Sequence, residues 1–274
     1  MKMSSRKSGL SLVLVIGWIL AAALPALAEI SLDHIREMAA AQVSIERMRK
    51  QKAPDWTKIK DKYEVLAPMV KQTDAQKSLA YDREIRAAIK KCAAGEKTKV
   101  NMQTLAKGLQ HVVVLNIRDE LSLLGESDGA GKRIAALFEG IRPTFTRRDK
   151  DFYKAEPTLE KAADRALGQI KKGGDKVSLT APRELADIID RTYGLCVLYE
   201  IIKVEKLRDT DTKSCEVKVK EADIFYRIIQ DRIKKHDAKA HEVISGMLKA
   251  GYDRMDADLL ETYLNQGLSG ISLR

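Results

Sequence analysis

Two glutamates in apolar stretches are the best candidates for chemistry in this chain. Glu120 and Glu200 each lie among leucine and isoleucine residues, where an unpaired carboxylate would cost several kcal/mol to bury. Helical bundles bind metal ions through inward Glu, Asp and His side chains, and carboxylates supply hard or borderline oxygen ligands. The alternative is a buried salt bridge to an arginine of a neighbouring helix, such as Arg83 or Arg165. We therefore expect each glutamate to be either a metal ligand or half of an ion pair.

A short pattern supplies the other candidate ligands. An aromatic residue is followed by an aliphatic residue and then, in two of three copies, by proline, and an acidic residue comes soon afterwards. The copies span residues 63–68, 138–143 and 225–230. Tyr63, Asp74 and Asp149 are thus candidate metal ligands beside the two glutamates. The simpler interpretation makes Tyr63 a core residue and makes the two aspartates, together with Asp237, helix caps.

Motifs of known catalytic sites are absent from the sequence. There is no H-E-x-x-H, G-x-S-x-G, P-loop or G-x-G-x-x-G, so we expect a non-enzymatic protein. The glycine-rich stretch at 125–132 lacks the strand and the Ser or Thr that a phosphate loop requires, which favours a linker. His111 and Glu120 are nine residues apart and would face opposite sides of a helix. Asp237 and His241 could share a helix face, beside lysines that repel a cation.

The first 28 residues have the pattern of a signal peptide. Lys2, Arg6 and Lys7 precede an apolar run at 10–24, and Ala-Leu-Ala ends at Ala28. The alternative is an uncleaved anchor helix, but the apolar run is short for a bilayer span of about 20 residues. We expect cleavage after Ala28 and a periplasmic or secreted protein with no stable membrane span once the signal is removed.

Composition limits the partners. Removing the signal segment takes away three basic residues and lowers the formal charge from +10 to +7. Charged residues are interspersed, which is typical of solvated helix faces, and only 5% of residues are aromatic, so we expect no nucleic-acid binding. A mildly basic surface suits an acidic partner in the cell envelope. The spacing of Cys92, Cys196 and Cys215 gives no reason to expect a disulfide framework.

The chain after the signal peptide is predicted to be all-α, an antiparallel helical bundle built from tandem long-helix hairpins. Residues 82–124 and 164–207 share Asp-Arg, Ile-Lys-Lys, Leu-Ala and a late Glu in the same order, which indicates an internal repeat. Predicted helices span about 31–50, 56–91, 101–124, 132–145, 155–172, 180–207, 215–250 and 256–266. The helix at 56–91 is expected to begin at an Asp55 cap and to bend near Pro68 or at 71–74. The repeat divides the chain into units at 29–128, 129–214 and 215–274. The third unit lacks a return helix, and we expect the unmatched N-terminal helix to fill that gap.

The aromatic-to-aspartate pattern, followed by a second helix that ends in Glu-Leu, resembles the algal low-iron-inducible periplasmic proteins. Related helical repeats occur in the imelysin-like iron-uptake proteins, although their G-x-H-x-x-E signature is missing here because Val114 stands three residues after His111. The resemblance implies an exported helical binding protein with iron as its expected ligand.

Two functions therefore remain open from the sequence. The first is a periplasmic or extracellular protein that binds iron or another metal for uptake. The second is a structural or interaction scaffold that presents a basic face to an acidic envelope partner. Burial of Glu120 and Glu200 in a shared cavity would favour the first, and exposure of both beside lysine and arginine would favour the second.

Overall fold

The computed structural model describes residues 30–154, 156–173 and 180–274. Within these ranges the regular structure is helical and contains no strand, which confirms the all-α prediction. The signal-peptide prediction lies outside the described residues. In chain order the α helices of the described part are α1 (Leu32–Met48), α2 (Trp56–Lys77), α3 (Tyr81–Ala93), α4 (Thr98–Ser122), α5 (Ala130–Phe152), α6 (Thr158–Gly173), α7 (Thr180–Leu207), α8 (Thr212–His236), α9 (Ala238–Ala250) and α10 (Ala257–Gly267).

Helix starts follow the capping residues in the sequence. Ser31 caps α1 by accepting a hydrogen bond from the His34 backbone N–H, and Asp55 caps α2 through Lys58 N–H at 3.0 Å, as predicted. A side-chain oxygen at these positions binds an N–H that has no partner inside the helix. The short helix predicted near 256–266 is present as α10, which is capped by Asp256.

Two predicted long helices are each divided in the structure. The helix expected at 56–91 ends at Lys77, because Ser78 adopts a left-handed conformation (φ 55°) that does not continue a helix. Pro68 lies inside α2 without ending it. The helix expected at 215–250 is divided at Asp237, whose extended backbone separates α8 from α9 and whose side chain caps α9, as the capping interpretation predicted. Conversely, α5 continues seven residues beyond the predicted end at 145, to Phe152.

The helices share one hydrophobic core, with α4 and α7 at its centre. Almost every residue from Leu105 to Ile117 of α4 is buried, including polar ones. A helix that is buried around most of its circumference lies inside a bundle rather than on its surface. α4 packs against α3, α5 and α8, and α7 packs against α6, α8 and α10. These central helices carry the polar groups described below.

The predicted role of the first helix is wrong. α1 packs chiefly against α2 and α5, and α9 and α10 complete the bundle beside α7 and α8. The third unit is therefore covered by α4, α7 and its own short helices rather than by the N-terminal helix. Tandem repetition of the hairpins and the unit boundaries at 128 and 214 stay predictions.

Candidate functional site

A cavity of about 350 Å³ lies where the end of α1 meets α4, α5, α7 and α8, and charged side chains dominate its lining. The basic members are Arg49, Lys107, Arg147, Arg148, Lys150 and Lys218. The acidic members are Asp151, Glu200 and Glu221, and Glu46 joins them through its ion pair with Arg49. Six cations thus face four carboxylates, so the cavity has a net positive charge of two when all of them are ionised.

Local sequence positions many of these cations at helix ends. Arg49 is the C-terminal cap of α1, and Arg147, Arg148 and Lys150 lie in the last turns of α5. The C-terminal end of a helix carries partial negative charge and favours cations. Lys150 is exposed and Arg147 is half-buried, so the cavity reaches solvent beside them.

Arg148 has more hydrogen-bond donors than partners. The residue is 93% buried, and Nη2 lies 2.6 Å from an oxygen of Asp151. The guanidinium lies 4.0 Å from the centre of the Tyr199 ring, a favourable stacking position. Nε and Nη1 are buried and have no hydrogen-bond partner among the described residues. A buried donor without a partner costs free energy, and a ligand with acceptor oxygens would remove that cost.

Arg49 and Lys107 extend the same donor set. Arg49 Nη2 donates to Glu46 at 2.8 Å, but its buried Nε finds no partner in the described part of the chain. Lys107 lies in the middle of α4, is 4% exposed and enters none of the ion pairs formed by described residues. Its Nζ lies 4.7 Å from the centre of the Phe225 ring. Burial lowers the pKa of Lys107, although the negative charges of Glu46 and Glu221 act against that change.

The pKa values of two carboxyl groups in the cavity shift in opposite directions. Lys218 Nζ lies 2.8 Å from Glu200 Oε2 and donates to Glu221 Oε2 at 2.6 Å. Burial and the neighbouring charge of Glu221 raise the pKa of Glu200 to about 7. Burial also acts to raise the pKa of Glu221, but the charges of Lys107 and Lys218 outweigh it and lower that pKa. The group at Glu200 therefore exchanges its proton near neutral pH.

Glu46 stays ionised under the same cations. Burial acts to raise its pKa, but the nearby charges of Arg49, Lys107 and Arg147, with the hydrogen bond from Arg49, bring the pKa down to about 2. The thiol of Cys196 also lines the cavity, and burial raises its pKa to about 11. A protonated thiol is a poor nucleophile and a poor metal ligand.

Glu120 lies elsewhere, in a closed ion pair. Arg133 Nε lies 2.9 Å from both carboxylate oxygens of Glu120, and the same arginine also binds Ser127 Oγ and the Asp128 carbonyl. The expected partners Arg83 and Arg165 were wrong, because the chain turns at 123–129 and brings the next helix, with Arg133, against the end of α4. The glycine-rich stretch therefore forms a hydrogen-bonded turn that holds this arginine.

The three remaining predicted ligands are Tyr63, Asp74 and Asp149, and each is hydrogen-bonded to another part of the chain. The Tyr63 hydroxyl donates to Asp82 at 2.8 Å, and burial and that contact raise its pKa. Asp74 accepts hydrogen bonds from the backbone N–H groups of Tyr81 and Asp82 at 2.9 and 2.7 Å, and so caps α3. Asp149 caps α6 in the same way, through the N–H groups of residues 159 and 160. The capping interpretation therefore describes both aspartates.

The structure does not bring the five predicted metal ligands together. Among the described residues, no group of three or more His, Cys, Asp and Glu side chains could hold a metal ion. Of the five, Glu200 alone lines the cavity, where Lys218 opposes a cation. The buried His111 contacts Tyr81 at 2.6 Å, and burial lowers its pKa to about 3. Iron binding stays a prediction without a ligand set in the described chain.

Sequence reasoning missed Lys107, Arg49 and Arg148. A lysine among the leucines and valines of α4 is the same kind of signal that singled out Glu120 and Glu200, so Lys107 was recognisable. The two arginines lie in ordinary basic helix ends, and only their burial distinguishes them.

No protein-family model matches the chain, and no curated protein or solved structure is significantly similar to it. The resemblance to low-iron-inducible and imelysin-like proteins therefore stays a prediction. In the described part of the chain no helix combines the length and the apolar character that crossing a bilayer requires.

Proposed function

We propose that the protein is an exported, non-enzymatic binding protein that holds a small anion in the cavity around Arg148. One observation carries this proposal: Arg148 and Arg49 keep buried N–H donors without partners, in a cavity where cations outnumber carboxylates. Buried charges are ordinarily paired, so unpartnered arginine donors in a solvent-connected cavity favour an anionic ligand. Export is inferred from the pattern of residues 1–28.

The chemistry of the donors favours an oxyanion, either a phosphate or a carboxylate. The planar guanidinium of arginine binds two oxygens of such groups at once, and Lys107 adds a point charge. The faces of Tyr199 and Phe225 are already occupied by cations, so they orient these cations rather than a ligand ring. A volume of about 350 Å³ suits a small acid rather than a polymer.

Glu200 gives the binding a pH dependence. While Glu200 is protonated, the net positive charge of the cavity is three rather than two. An anion is then attracted more strongly, and its presence in turn favours the protonated form of Glu200. We expect anion affinity to fall as pH rises through 7, and binding at pH 7 to be accompanied by proton uptake.

Calorimetric titration of inorganic phosphate and of citrate into the purified mature protein tests the proposal. Arg148→Gln and Lys107→Met should each reduce the affinity roughly 10- to 150-fold, since a hydrogen bond to a charged group contributes about 1.5–3 kcal/mol. Arg183→Gln is the matched control, because Arg183 is exposed on α7 and far in sequence from the cavity residues of that helix. Phosphate binding alone or citrate binding alone would identify the oxyanion.

Two outcomes would refute anion binding. The first is the absence of heat and of any thermal stabilisation with both probes at pH 6. The second is binding that Arg148→Gln and Arg183→Gln weaken equally, which would indicate general attraction to a basic surface. In that case the interaction-scaffold hypothesis would be the better account of the chain.

A further inference from the structure

A second concave surface lies on the other side of α1, between α1, α5 and the end of α6, with a volume of about 820 Å³. We call it the α1–α5 groove. The α1 residues that line the groove lie 3, 4, 7, 8 and 11 positions after Arg36, a spacing that places them on one continuous stripe of the helix. They are Arg36, Ala39, Ala40, Val43, Ser44 and Arg47. This stripe is separate from the core stripe of α1 that contains Ile35, Met38 and Ile45.

The floor of the groove is made of small side chains. Ala39 and Ala40 of α1 face Ala135 and Ala136 of α5, and Val43 is 41% exposed beside them. Alanines without bulk allow another helix axis to approach to the usual interaxial distance of about 8–10 Å. An exposed valine on such a floor is apolar surface that a partner would bury.

The rim of the groove is basic on both walls. Arg36 and Arg47 lie at the two ends of the α1 wall, about 16 Å apart along the helix, and Lys132 and Lys171 lie on the opposite wall. Arg47, Lys132 and Lys171 are exposed and enter none of the ion pairs between described residues, whereas Arg36 contacts Asp33 at 2.9 Å. The one acidic residue of the lining, Glu139, is held by Arg142.

We propose that the α1–α5 groove docks an amphipathic helix of a partner protein, with small or apolar residues on one face and acidic residues on both flanks. The partner's acidic residues would meet Arg36 and Arg47 three turns apart, and the other flank would meet Lys132 and Lys171. A helix laid in a groove is an established mode of recognition, and the complementary charges fix its register.

Charge argues against two other occupants. Residues 1–28 contain three basic and no acidic residues, so they do not complement this rim. A second copy docked face to face about a twofold axis would bring the same cations together. An acidic helix matches both the small floor and the basic rim.

The test uses the mature protein and a fluorescent, covalently constrained helical peptide of about 18 residues. Two glutamates on this peptide lie three turns apart on each flank of an alanine–leucine stripe. Fluorescence anisotropy should detect saturable binding that weakens at high salt. A peptide with glutamine in place of every glutamate should bind at least tenfold more weakly.

Variants locate the binding on the protein. Arg47→Glu with Lys132→Glu should weaken peptide binding at least tenfold, and Ala40→Trp should do the same by filling the groove without changing charge. Lys60→Glu with Lys62→Glu is the matched control, because both lysines are exposed on α2 and the net charge changes equally. Each variant should retain the melting temperature of the parent, since all five positions are exposed.

The proposal is overturned if the acidic and glutamine peptides bind equally, or if the two double variants weaken binding to the same extent. A dimer of the protein detected by analytical ultracentrifugation would also overturn the proposal, if the double variant Arg47→Glu with Lys132→Glu dissociates that dimer. A third result would assign the basic rim to a membrane surface instead. In that result the protein binds phosphatidylglycerol vesicles but not the acidic peptide, and Ala40→Trp leaves the vesicle binding unchanged.

Discussion

Replacing Glu200 by glutamine should change how the stability of the protein depends on pH. Burial and the charge of Glu221 raise the pKa of Glu200 from 4.5 to about 7 in the folded protein. The folded state therefore binds this proton more tightly than the unfolded state does. The stability that results is fully present below pH 4.5 and is lost as pH rises through 7. Since each tenfold change in proton affinity corresponds to about 1.4 kcal/mol, the loss is about 3 kcal/mol.

Other groups titrate in the same range, so the difference between variant and parent is the quantity to measure. Burial lowers the pKa of His111 to about 3, and this group gives stability that is present above pH 6.5 and lost as pH falls. The lowered pKa of Glu221 acts below pH 4.5, outside the window of Glu200. Subtracting the free energy of unfolding of the parent from that of Glu200→Gln removes the contribution of His111, because both proteins contain this histidine.

Urea denaturation at several pH values between 4.5 and 8 measures the effect. We expect the free energy of unfolding of Glu200→Gln, relative to the parent, to increase by about 3 kcal/mol across this range. Glu184→Gln is the control on the same helix, because Glu184 is exposed, and its difference from the parent should stay constant. A constant difference for Glu200→Gln as well would refute the reasoning about burial and repulsion by Glu221.

Three further substitutions have definite expected effects on stability. Arg133→Met should reduce the free energy of unfolding by about 3–5 kcal/mol, because it leaves the buried Glu120 without its partner. Urea denaturation should show that adding Glu120→Leu restores much of this loss. If stability does not recover, Glu120 has another role. Asp149→Ala should lower stability by about 1 kcal/mol, because α6 loses its cap. Thermal melting measures this effect. An unchanged melting temperature would show that other groups accept hydrogen bonds from those N–H donors. Lys107→Met should raise the free energy of unfolding by about 1 kcal/mol, because an unpaired buried cation is replaced by an apolar side chain of similar length. A large decrease in stability for that variant would mean that the protein itself already compensates the charge of Lys107.

Local signals in the sequence were sufficient for much of the secondary structure. Asp55 and Asp256 begin helices as their residue type predicts, because capping involves only the next three residues. The apolar spacing that indicates an all-α bundle also depends on neighbours within two turns. The sequence indicated a bend at 71–74 but not the end of the helix at Ser78, because that end depends on the carboxylate of Asp74 reaching the N–H groups of the following helix.

The partners of buried charges were decided by tertiary structure. The sequence indicated that Glu120 and Glu200 need compensation, and periodicity placed both on apolar helices. It could not indicate that a turn brings Arg133 to the first, or that Lys218 meets the second. Arg49, Lys107 and Arg148 come from three helices that are far apart in sequence, and their donors converge only when α1, α4 and α5 pack together. Helical periodicity fixes the face on which a side chain lies, whereas the packing of whole helices fixes what that face meets.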